Sequence, residues 1–185
     1  MRMKLLHALA MLLTLPFLQG AVARDDLPWK FGMSPDEVRA VTRLGPYNAF
    51  RNGDLETYHG VFEGHEENFQ FFFKDGKLDG IGIYLYEGTD AQVAGARWLA
   101  LRSVMARRYG SMRTPDNVPP VDDSPQGGAP FVARALEIAQ RDGRAQMWPL
   151  KEPDDVNVFA RLGSGIVEGD RMYFVIFKYT PPTAP

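Results

Sequence analysis

The sequence predicts an α+β protein in which an antiparallel sheet, or sheets, carries helices on one face. Apolar residues recur at helical spacing in three segments. Aromatic and β-branched residues form two groups of three strands, and turn residues separate those strands. Runs of antiparallel strands with separate helices are typical of this class. The predicted order is α-βββ-α-(long loop)-α-βββ.

Residues 1–23 have the features of a cleavable secretory signal. Arg2 and Lys4 precede the apolar stretch 5–18, and Ala21-Val22-Ala23 fits the small-x-small cleavage rule. The apolar stretch is too short to span a membrane, and no Cys follows it that could carry a lipid. We therefore expect cleavage after Ala23, export to the periplasm without a membrane anchor, and one α+β domain over 24–185.

The composition excludes several function classes. The chain has 21 Lys and Arg against 23 Asp and Glu, and two of the basic residues lie in the leader, so the exported part carries a net charge of about −4. That balance argues against nucleic acid as a partner. The chain has no Cys. Thiol catalysis, disulfides and Cys-based zinc sites are therefore excluded.

The first predicted helix has well-marked ends. Ser34 as N-cap, Pro35 and Glu37 form a capping box with a first-turn proline, and Gly45-Pro46 ends the segment. Three strands follow, at 57–62, 68–74 and 77–86.

The second half begins with a helix over 90–109. Thr89 and Gln92 form a second capping box, and Gly110 follows its last turn. The segment 111–130, with five prolines, predicts a long surface loop. After it we predict a helix over 131–141 and strands at 145–150, 156–162 and 171–180.

The turn Asp75-Gly76 permits two registers for its hairpin. A two-residue loop pairs Phe73 with Leu78, whereas a three-residue loop with a bulge pairs Phe73 with Lys77. We prefer the bulged register because it gathers one mostly apolar face, formed by Phe69, Phe71, Phe73, Ile81, Ile83 and Leu85.

The opposite face of this hairpin mixes aromatic, polar and glycine residues. If it is open, Phe72, Tyr84 and Tyr86 are the expected anchors of a partner-binding surface, because aromatic residues concentrate binding energy. The alternative is that the loop 111–130, or the segment around Trp29, covers this face.

No pattern in the sequence specifies catalytic residues. His59 and His65 lie near several Glu residues, but their separation along a hairpin disfavours one shared metal ion. Gly163-Ser164-Gly165 lacks the nucleophile-elbow frame. The pairs Asp122-Asp123 and Asp154-Asp155 have no EF-hand spacing. We expect no metal, no cofactor and no catalytic residue.

The stretch from "GMSPDEV" to "FKDGKL" resembles the small exported SmpA/OmlA, or BamE-like, domains and the repeat unit of β-lactamase-inhibitor-like proteins. The likeness covers about residues 31–86. The residues that carry it are Gly32, Met33, Ser34, Val38, Gly45, Pro46 and the pair Asp75-Gly76. The resemblance implies a non-catalytic role as an envelope accessory subunit or as an inhibitor. The chain differs from the outer-membrane assembly branch, which carries a lipidated Cys.

Together these features predict a non-catalytic periplasmic binding protein that acts by protein–protein contact, of the inhibitor, immunity or envelope accessory type. Its expected partner is another envelope or exported protein. The alternative is an envelope small-ligand binder or hydrolase, with a pocket between helix 90–109 and the sheet.

Overall fold

A computed structural model describes residues 27–114 and 127–182. The helices are α1 (Pro35–Arg39), α2 (Ala91–Tyr109) and α3 (Gly128–Asp142), with a 3₁₀ turn at Thr42–Leu44. The strands are β1 (Asn48–Ala49), β2 (Leu55–Phe62), β3 (His65–Lys74), β4 (Lys77–Gly88), β5 (Met112–Arg113), β6 (Arg144–Pro149), β7 (Asn157–Val167) and β8 (Asp170–Thr180). All eight strands belong to one antiparallel sheet, in the order β1-β2-β3-β4-β8-β7-β6-β5.

The predicted fold class, α+β with the order α-βββ-α-(long loop)-α-βββ, is wrong. The sheet has two additional strands, β1 and β5, which lie at its two edges. Each has two residues, too few to produce an alternating pattern. The two predicted groups of three strands also form one continuous sheet, because β4 pairs with β8. A pairing between segments so distant in the chain has no local sequence signal.

Side chains cap the first turns of α1 and α2. Ser34 and Glu37 form the predicted capping box: the Ser34 amide donates to the Glu37 carboxylate at 2.7 Å, and the Glu37 amide donates to Ser34 Oγ at 3.3 Å. At α2 the cap is Asp90 rather than the predicted Thr89, because the Asp90 carboxylate accepts from the amides of Gln92 and Val93. The signal segment 1–23 and the middle of the predicted loop 111–130 lie outside the described residues.

The preferred register of the β3–β4 hairpin is also wrong. Asp75 and Gly76 have φ of 50° and 70° and form a two-residue turn, so that Phe73 pairs with Leu78. A shift after Phe72 then leaves Asp79 without a ladder partner. This bulge lies three residues beyond the turn. It places Phe69 and Phe71 opposite Ile83 and Ile81, so the apolar face forms although the predicted bulge position was wrong.

The core lies on one side of the sheet, which we call the helix face. Phe69, Phe71 and Ile83 are fully buried there. The ring of Trp29 packs 5.6 Å from Phe69 and 4.7 Å from Phe71, so the N-terminal segment covers the β3 half of the sheet. Helices α2 and α3 cover the half formed by β8, β7 and β6.

Candidate binding cleft on the open sheet face

The side of the sheet opposite the helices, which we call the open face, is built by alternation along the strands. Successive side chains in a strand point to opposite faces. Neighbours of the buried core residues in β3, β4, β7 and β8 therefore project to this face. They are Gln70, Phe72, Gly82, Tyr84, Phe159, Arg161, Phe174, Ile176 and Lys178.

The structure brings together two of the three predicted anchors. Phe72 and Tyr84 lie on the open face on either side of Gly82, and a Cβ at Gly82 would lie 3.1 Å from the Phe72 ring and 3.4 Å from the Tyr84 ring. Gly82 therefore leaves the space that lets both rings lie close to the sheet.

Tyr86, the third predicted anchor, lies on the helix face. A bulge between Tyr84 and Tyr86 changes the alternation, so that Tyr86 pairs with the buried Val175. The Tyr86 hydroxyl accepts a hydrogen bond of 2.9 Å from the amide of Asp90. Tyr86 thus supports the start of α2 and is separated from the other two aromatic residues.

A cleft of about 390 Å³ crosses the open face beside Tyr84. Its volume falls in the range of small-molecule sites. Its walls are Tyr84, Arg161, Phe174 and Ile176, with Gln70 and Glu87 at the sides. Gly163 and Gly165 line its β7 end. No heavy atom lies within 4 Å of the place where a Cβ at position 165 would stand.

Arg161 lines this cleft, although no sequence pattern indicated it as a site residue. It is partly buried, and its Nε is inaccessible to solvent without a hydrogen-bond acceptor. No carboxylate in residues 27–114 or 127–182 pairs with its guanidinium. A polar group buried without a partner costs free energy, so this arginine favours an incoming anion. In the sequence it is marked only by its alternation with the apolar residues of the strand predicted at 156–162.

Lys178 lies on the neighbouring strand, and its Nζ is 4.2 Å from the centroid of the Phe72 ring. It makes no ion pair with the described part of the chain. Burial, and then the positive charge of Arg161, lower the pKa of Lys178, while Asp54 and Asp79 act in the opposite direction. The face therefore holds two cations that repel each other and form no ion pair within the described residues.

Burial raises the pKa of the Tyr84 hydroxyl, and the carboxylate of Glu87 adds to the effect. Tyr84 is thus a neutral phenol at physiological pH. No described residue makes a hydrogen bond with this hydroxyl or with the Gln70 amide. Both groups are available to a ligand in the cleft.

A second concavity of about 500 Å³ adjoins the first across Gln70, which lines both. Its other walls include Phe50 and Phe72. Phe50 is 41% exposed, and Tyr58, on β2, is 55% exposed. The open face thus offers a continuous surface that is wider than the cleft alone.

The other candidate chemistry is not assembled into a site. Nδ1 of His59 lies 3.4 Å from a Glu66 carboxylate oxygen. Within residues 27–114 and 127–182, no three His, Asp or Glu side chains come together as metal ligands. Ser164 Oγ accepts a hydrogen bond of 3.0 Å from Arg171, and the pair Asp122-Asp123 lies outside the described residues.

The space between helix α2 and the sheet, where the alternative function required a pocket, is filled by side chains. Trp98, Leu101 and Met105 project from α2 and have no more than 1% exposure. The Trp98 ring stacks on Phe131 of α3, with their centroids 6.2 Å apart. The cleft described above therefore lies on the opposite side of the sheet from the expected pocket.

No helix in the described ranges combines the length and apolar character needed to cross a membrane. No protein family, curated protein or solved structure matches the chain. The likeness to BamE-like and inhibitor-like domains therefore stays a prediction from the residues that carry it.

Proposed function

We propose that this chain is a non-catalytic binding protein of the cell envelope that holds a partner protein on the open face of its sheet. The observation that carries the proposal is a pair of partly buried cations, Arg161 and Lys178, which form no ion pair within the described residues and lie beside Tyr84 and Phe72. Partly buried charged groups without an ion pair lower the free energy of unfolding, so their presence is consistent with selection for binding.

Two further features support a protein partner. The two adjoining concavities and the exposed rings of Phe50 and Tyr58 spread the contact beyond one small molecule. Arginine and tyrosine, which meet here, are the residue types that most often dominate protein interfaces. The leader at 1–23 supports an envelope location for both proteins.

The experiment is affinity capture of the tagged chain from the envelope fraction of the cells that make it. Gly165→Phe is the blocking variant, because position 165 lines the cleft and its new ring would occupy space there. The backbone accepts a side chain at this position, since no heavy atom lies within 4 Å of the added Cβ. Ile166→Phe is its matched control, since Ile166 is 62% exposed and points to the other side of β7.

We expect one stoichiometric partner with the wild-type chain and with Ile166→Phe. Its recovery should fall at least tenfold with Gly165→Phe, the change that a loss of about 1.4 kcal/mol of binding free energy produces. The proposal fails if no partner is recovered, or if the two variants recover it equally.

A further inference from the structure

We infer that the cleft receives a single carboxylate from an acidic segment of the partner protein, with an apolar side chain beside that carboxylate resting on the ring of Phe174. The inference rests on the proposed function, because it specifies the chemistry of the same surface. Arg161 is the central binding residue, Lys178 assists it, and Tyr84 and Gln70 supply neutral hydrogen-bond donors.

The geometry of Arg161 indicates a carboxylate as the ligand group. A guanidinium is planar and presents five donors that match the two oxygens of a carboxylate. Arg161 lies on β7 opposite Ile176, and its Nε is already enclosed, so its side chain is held in place before any ligand arrives. Little rotamer freedom is then lost on binding, which favours affinity.

The local charge balance sets the charge of the ligand group. Among the described residues that line the cleft, Arg161 is the one cation and Glu87 is the one carboxylate. Asp54 and Asp79 already attract the ammonium of Lys178. A ligand group with one negative charge can pair with Arg161, whereas a dianion would meet stronger repulsion from Glu87.

Apolar side chains next to Arg161 determine which group of the ligand fits beside its carboxylate. Phe174 is partly exposed on the open face, and Phe174 and Ile176 both line the cleft with Arg161. A carboxylate on an apolar neighbour therefore matches the face better than a fully polar anion does. Aspartate or glutamate next to an aromatic or aliphatic residue has this chemistry.

The test uses N-acetylphenylalanine as the probe, because it joins one carboxylate to one aromatic ring. Its neutral amide, N-acetylphenylalaninamide, is the matched ligand, and inorganic phosphate at a pH above its second pKa is the dianionic one. Binding is followed in the full ¹⁵N-labelled chain through the Nε–H resonance of Arg161, which is assigned by its loss in Arg161→Gln.

We expect saturable shifts with the carboxylate probe at a dissociation constant on the order of 1 mM. Binding should weaken at least tenfold for the amide, for phosphate, and for the carboxylate with Arg161→Gln, which is followed through the backbone amides of the cleft. Arg39→Gln, an exposed arginine on α1, should bind as the wild type does. Equal binding of the amide, absence of carboxylate binding, or an unaffected Arg161→Gln would overturn the inference.

Partner capture with the same variants separates the two proposals. Loss of the partner with both Gly165→Phe and Arg161→Gln supports both. Loss with Gly165→Phe alone leaves the proposed function standing and refutes the carboxylate site. Retention of the partner by Gly165→Phe refutes the proposed function, and the probe titration then decides the carboxylate site by itself.

Discussion

The packing of Phe69 against Gly60 fixes which face of β3 is open, and it can be tested by a double-mutant cycle. Phe69 is fully buried on the helix face, and its ring occupies the space where a Cβ at position 60 would stand. The side chains of Gln70 and Phe72 point to the open face only while Phe69 keeps this position, because a one-residue slip reverses every side chain of a strand.

The expected magnitudes follow from the type of change. Gly60→Ala forces the Phe69 ring to retreat by on the order of 1 Å to reach ordinary contact distance, and overpacking of this kind costs about 3 kcal/mol. Phe69→Ala removes a buried ring and costs about 4 kcal/mol. In the double variant the obstructing ring is absent, so the added methyl costs almost nothing. The coupling free energy should be about 3 kcal/mol.

The assay is urea unfolding followed by the fluorescence of Trp29, whose ring lies 5.6 Å from Phe69. The double variant should unfold at nearly the same urea concentration as Phe69→Ala. Gly165→Ala is the control, and its free energy of unfolding should change by less than about 0.5 kcal/mol, because no heavy atom lies within 4 Å of the new methyl. Additive losses in the double variant would refute the proposed packing.

Three other predictions concern single residues. Glu63 accepts hydrogen bonds from Arg107 and Arg108, which lower its pKa, so Glu63→Gln should cost about 1 kcal/mol at pH 7. This difference should disappear in urea unfolding as the pH falls below the ordinary Glu value of 4.5 and through the lowered pKa. Burial lowers the pKa of Lys178 below its value in the unfolded chain, so the charged form destabilises the fold. Lys178→Met should raise Tm by about 2 °C at pH 7, and the gain should vanish above the ordinary Lys value of 10.5 in thermal melts. Tyr86→Phe should lose about 1 kcal/mol of stability in urea while partner capture is unchanged, because the lost hydrogen bond belongs to the start of α2.

Local signals in the sequence predicted some elements of the fold well. Ser34 and Glu37 identified the capping box of α1, and the apolar spacing of residues 90–109 identified α2. These features depend on residues within one helical turn of each other, so the sequence contains the whole interaction.

Features that depend on distant pairing could not be predicted. The contact between β4 and β8 joins the two halves of the chain, and the edge strands β1 and β5 exist only because neighbouring strands hold them. The bulge at Asp79 is a further example, since the turn alone predicted it three residues too early.

In the candidate site, too, some residues were predictable from local signals and others were not. Phe72 and Tyr84 were predicted because aromatic residues are conspicuous in a strand, but the bulge that moves Tyr86 to the other face has no sequence signal. Arg161 and Lys178 were missed because an isolated cation in a strand is usually solvated or paired. Their place in the candidate site depends on the absence of ion pairs within the described residues, which only the three-dimensional arrangement reveals.

Photo-cross-linking would show both where the partner protein lies on the sheet and which of its residues contact the open face. A photoreactive benzoylphenylalanine would replace Tyr84 on the open face or, as the comparison, Val93 on the outer surface of α2, which is 41% exposed. We expect a partner adduct at position 84 and none at position 93. We also expect the cross-linked peptide to contain an Asp or Glu next to an apolar residue. An adduct at position 93 alone, or equal adducts at both positions, would refute binding of the partner on the open face.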